Sequence, residues 1–103
     1  MVVISVLYPK TSESHFDHDY YLQKHIPMVR SRWQAMGLKS DVLMRGTSTL
    51  DGQPPSYELI GFLTFHSVEQ VQAALAAFGQ EIIGDIPNFT NVSPLIQMND
   101  PVP

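Results

Sequence analysis

Cysteine is absent from the 103 residues, so the chain has no disulfide framework and no thiolate zinc site. Basic residues are scarce: six Lys and Arg stand against ten Asp and Glu, for a net charge of −4. A nucleic-acid footprint needs clustered positive charge, and the few cations are scattered, which excludes that class. Long apolar runs are also missing; none approaches the roughly 20 residues of a membrane span. The opening residues lack the basic-then-apolar layout of a secretory signal. No glycine-rich phosphate loop, dinucleotide fingerprint or serine-nucleophile motif is present, so nucleotide chemistry and covalent hydrolysis have no visible parts. These absences point to a single cytoplasmic domain over residues 1–103, long enough to bury a core without staples.

What is present centres on residues 16–30. Asp17 is a good N-cap, because its carboxylate can accept from free amides of a first helical turn. Phe16 and Tyr21 occupy the two positions of a hydrophobic staple. Asp19 complements the positive end of the helix dipole. Leu22, Val29, Trp33 and Met36 are spaced for one helix face, and His18 and His25 fall on it too. Tyr20 lies well off that face. Pro27 cannot donate to the carbonyl of Gln23, which predicts two helical pieces hinged at His25-Ile26. An imidazole on the inner face of a helix break is the leading candidate for a functional residue.

Around this stretch the chain reads β-α-β-β-α-β. A first strand covers residues 2–8 and stops at Pro9. Gly37 ends the first helix, and residues 38–47 read as a second strand. A loop with Asp51-Gly52 and Pro54-Pro55 leads to a third strand from Glu58 to His66. Ser67 with Gln70 forms a capping box; Val68, Val71, Leu75 and Phe78 supply a buried stripe, and Gly79 closes that helix. Residues 81–85 suggest another helical turn, and residues 90–98 a last strand broken or edged by Pro94. This order predicts an α+β, ferredoxin-like fold: a four-stranded antiparallel sheet with two helices on one face. The other face should be polar, yet Val3, Leu7, Ile60 and Phe62 oppose Ile4, Leu59, Leu63 and Phe65 on the helix side. Two apolar faces with helices for only one predict a homodimer through the sheet faces.

The pattern Phe16-Asp17, Tyr20-Tyr21, His25 and Pro27, followed by Asp85-Ile86-Pro87-Asn88-Phe89-Thr90, resembles the EthD family, named for ethyl tert-butyl ether degradation. The likeness extends over nearly the whole chain. It implies a dimeric α+β barrel, and it puts His25 where the family carries its own histidine.

Candidate chemistry has two readings at each position. His25 is a general acid or base working near neutral pH, or a core histidine that binds a freed carbonyl. Asp85 orients His25, or caps its own turn; Asn88 contacts a ligand, or serves that same turn. Tyr8 and Tyr21 can each offer a pocket an apolar ring and a polar tip. Trp33 and Met36 read as core. His15, His18 and His25 invite a metal, but no clustered carboxylate supports one. The inventory suits cofactor-free proton transfer on a small, largely apolar organic compound; a non-catalytic protein that binds such a ligand or assists a partner oxygenase is the alternative.

Overall fold

The β-branched opening of the chain forms β1 (Val2–Pro9) in a computed structural model that describes residues 1–103. It lies between antiparallel β3 (Tyr57–Phe65) and β4 (Leu95–Asn99), and β2 (Leu38–Arg45) pairs with the far side of β3. The order β2-β3-β1-β4, with a helical layer on one face, is the expected ferredoxin-like arrangement. The sheet does not close on itself. β4 is shorter than anticipated: it begins after Pro94, which has no amide to give a ladder, while Thr90 makes only an isolated bridge with Phe16.

The first helical segment differs from the expectation in an informative way. Asp17 caps it through a 3.0 Å bond from the Tyr20 amide, and the Phe16 and Tyr21 rings meet at 5.2 Å as a staple. α1 (His18–Tyr20) then runs into a π-helical turn, Tyr21–His25, and on into α2 (Ile26–Trp33) without a hinge. Pro27 is absorbed by widening the turn before it: the Ile26 amide reaches the carbonyl of Tyr21, five residues back. In an α-helix, positions five apart differ by about 140°. A turn with one extra residue winds that difference back. Tyr20 therefore swings toward the side of His25, and Leu22, expected on the buried face, is carried into solvent.

α3 (Val68–Gly84) also departs from its forecast. Gly79 does not end it; the residue is buried within the helix, which continues to Gly84. Its buried face is Val71, Ala74, Gly79 and Ile82, with Val68 and Leu75 exposed. α3 is tied to α2 at Ala74, whose carbonyl accepts from the Trp33 indole at 2.9 Å. Ser67 caps the helix as foreseen, but Gln70 returns its bond to the amide of His66, one residue earlier than a capping box requires.

The core divides in two. Val2, Ile4, Trp33, Leu63, Phe65 and Val71 anchor a mainly aliphatic half, whereas Tyr8, Tyr21, Ile26, Leu59, Ile86 and Phe89 form a half richer in aromatic rings. The opposite face of the sheet carries Val3, Leu7, Ile60 and Phe62, half-buried, and Val42, Met44 and Leu95, exposed, with no helix over them. No helix is long and apolar enough to cross a membrane. Phe65 has no exposed surface. Phe65→Ala should lower unfolding free energy by about 3–5 kcal/mol, seen as a lower urea midpoint at unchanged slope.

Candidate active site

The chain after α3 is stitched to the loop before α1. The Asp17 amide donates to the Phe89 carbonyl at 2.7 Å, Thr90 Oγ1 to the His15 carbonyl at 2.7 Å, and the His15 amide to Asn91 Oδ1 at 2.8 Å. This seam sets Asp85, at the end of α3, against the π turn. His25 Nδ1 lies 2.9 Å from Asp85 Oδ2. The other carboxylate oxygen accepts the Tyr20 hydroxyl at 2.7 Å and the Asn88 amide at 2.9 Å.

Three side chains, Tyr20, His25 and Asn88, therefore converge on one carboxylate. Sequence reasoning brought His25 and Asp85 together but set Tyr20 aside, since an ordinary helical wheel points it elsewhere. Asn88, which the sequence allows either to contact a ligand or to serve its own turn, does not line the cavity: the 3-10 turn Ile86–Asn88 folds its amide back onto Asp85.

The electrostatics favour a neutral imidazole over a charged carboxylate. Burial holds the His25 pKa below its ordinary 6.5, although the hydrogen bond and charge of Asp85 work the other way. Burial would raise the Asp85 pKa, but bonds from Tyr20, Asn88 and His25, aided by the His25 charge, together hold it below the usual carboxylate value. A charged Asp85 fixes the proton of neutral His25 on Nδ1 and leaves the Nε2 lone pair free. Nε2 has no protein partner, yet no buried side-chain nitrogen or oxygen is unsatisfied, so it opens onto free space.

That space is a cavity of about 340 Å³ between the helices and the sheet. Its volume falls in the range of small-molecule sites. His25, Tyr8 and Tyr21 interrupt a wall that is otherwise almost wholly apolar. Leu75 and Ile83 of α3 and Ile96 and Met98 of β4 line it while remaining exposed, which puts its mouth between α3 and β4. Gly61 forms part of the floor in mid-strand, and a Cβ there would lie 3.6 Å from the Tyr21 hydroxyl. A glycine inside a strand marks close approach, a signal present in the sequence that helical reasoning passed over.

His18 has a different partner. His18 Nε2 lies 2.7 Å from Glu58 Oε1, and Lys10 Nζ lies 2.9 Å from Oε2. Glu58 is the extra residue where the β1–β3 register slips, and hydrogen bonds from His18 and then Lys10 hold its pKa low. His18 and His25 thus serve different carboxylates, and no group of three His, Cys, Asp or Glu could hold a metal ion.

Among solved structures, an EthD-like protein from Ralstonia eutropha is 32% identical, with a TM-score of 0.88 over 96% of this chain and 89% of that one. The chain belongs to the EthD family. A second EthD family protein, from Bacillus halodurans, is 17% identical with a TM-score of 0.71, covering 99% of each chain. An antibiotic biosynthesis monooxygenase shares the fold at 10% identity and a TM-score of 0.54, with 100% of each chain covered. No family model and no curated protein matches this EthD chain.

A pH titration of the His25 ring by NMR should give a midpoint below 6.5, lower still in Asp85→Asn, which removes the charge that raises it. The unfolded histidine binds its proton near 6.5 and the folded one only at lower pH. Stability from the neutral ring should therefore be complete above 6.5 and be lost as pH falls through that window.

Proposed function

We propose that this EthD-family chain is a small enzyme, acting as one domain on a small, largely apolar organic compound in catabolism by cofactor-free proton transfer. His25 is its general acid–base and Asp85 orients it, with Tyr20 and Asn88 holding the carboxylate. Tyr8 and Tyr21 contact the ligand. The observation that carries this reading is the two-sided environment of His25: Nδ1 tied to Asp85, Nε2 free beside an apolar cavity. A positioned base with a pKa near working pH contributes about 10²–10⁴ in rate. The lack of cysteine supports a cytoplasmic setting.

The test is hydrogen–deuterium exchange at the methyl group of 2-acetonaphthone, an apolar ketone, followed by NMR in heavy water. Wild type should accelerate exchange, and His25→Gln should lower that acceleration by at least about a hundredfold with ligand affinity retained. Binding without accelerated exchange in wild type would sink the catalytic reading and leave a ligand-binding or auxiliary protein for a partner oxygenase.

We also propose a homodimer formed through the uncovered sheet face, completing the α+β barrel. Its apolar residues, unpartnered in one copy, support this, and an ordinary specific interface hides about 800 Å² on each partner. Phe62 lies mid-face, paired with Ser5 and Val42. Phe62→Glu should convert the dimer to a monomer in sedimentation velocity; a monomeric wild type would end the proposal.

A further inference from the structure

The hydroxyls of Tyr8 and Tyr21 have no use in the fold. Their side chains are almost fully buried, at 2% and 3% exposure, and neither hydroxyl has a protein partner. A buried phenol normally finds one. Since no sealed side-chain oxygen is unsatisfied, both tips open onto free space, and the cavity is the space these residues line. The Tyr8 and Tyr21 ring centres are 6.0 Å apart, and those of Tyr21 and His25 are 5.5 Å apart. One small molecule can meet all three groups. Gly61 keeps the floor clear beside the Tyr21 hydroxyl.

We infer that Tyr8 and Tyr21 form a two-donor oxyanion site, and that the substrate class is an apolar carbonyl compound with an enolisable C–H bond. The inference rests on the proton-transfer reading for His25 and adds what the other polar groups do. A cavity that presents one acceptor and two hydroxyl donors in an apolar wall complements a molecule with an acidic hydrogen at one atom and an acceptor oxygen two bonds away. His25 Nε2 takes the proton from the α-carbon. The C–H pair becomes the C=C bond, and the carbonyl π pair moves onto oxygen, where the two hydroxyls donate to it. The imidazolium then returns the proton to carbon, so no electron enters or leaves. Burial raises both tyrosine pKa values well above normal, which keeps the phenols as donors while the enolate forms.

The experiment compares 2-acetonaphthone with 2-isopropenylnaphthalene, its hydrocarbon isostere, by equilibrium binding. Neutral His25 Nε2 cannot donate to a carbonyl, and the Gln97 side-chain amide on the lining is bonded to Asn99, so the part of a ketone preference that the tyrosine variants remove reports the tyrosines. Wild type should prefer the ketone by about three- to tenfold per hydrogen bond, and the bound carbonyl stretch should move to lower wavenumber. Tyr8→Phe and Tyr21→Phe should each remove part of that preference and leave hydrocarbon affinity unchanged. Each should slow exchange far more, by about 10²-fold, because charge on oxygen develops only during the reaction. Equal binding of the two compounds by wild type, no binding of either, or tyrosine variants with an undiminished preference would overturn the assignment. His25→Gln separates the two ideas: unchanged exchange would refute the base, and a lost ketone preference would refute the donors.

Discussion

A single missing amide shapes this molecule. Pro27 can give no hydrogen bond to the turn before it, and the chain accommodates this by admitting one more residue into that turn. Everything on the near side is rotated relative to an ideal helix. Tyr20 comes within reach of Asp85, Tyr21 lies over the cavity floor, and Leu22 faces water. A straight α-helix over the same residues would leave the carboxylate with fewer donors. The widened turn is therefore a positioning device as much as an accommodation.

Asp85 shows how a half-buried charge is kept in a small protein. It accepts from three side chains, two of them on the first helical segment and one within its own turn. Hydrogen bonds to a carboxylate are stronger than neutral ones, and here they outweigh the cost of partial burial. The same bonds give the imidazole a fixed tautomer and orientation. Arg30 plays a comparable part away from the cavity, clamping α2 to β2 through a two-pronged contact with Asp41 at 2.9 and 2.7 Å. That contact holds α2 to the edge of the sheet whose other three strands floor the cavity.

Most of the fold was legible because its signals are local. Alternating faces in β1 and β3, the Asp17 cap, the Phe16–Tyr21 staple and the left-handed Gly37 all read directly from neighbouring residues. The errors arose where packing decides. Gly79 carries a stop signal, yet it is tolerated inside α3 because burial of that face favours continuing the helix. The site was half legible for a related reason. His25 and Asp85 could be paired by residue type, but Tyr20 depended on the phase of a turn whose width no local pattern announces. Gly61 was readable in principle, as a strand residue with no side chain, once a cavity was sought above it.

The chain separation of the Asp85 contacts bears on how the protein becomes competent. Asp85 is 60 residues from His25 and 65 from Tyr20 along the sequence. Contacts between such distant segments form only after the intervening chain has collapsed around its core. In a nascent or partly melted molecule, without the docked end of α3, the His25 ring has neither the Asp85 carboxylate nor a walled chamber. Incomplete copies therefore lack the proposed site, which is assembled only with the finished fold.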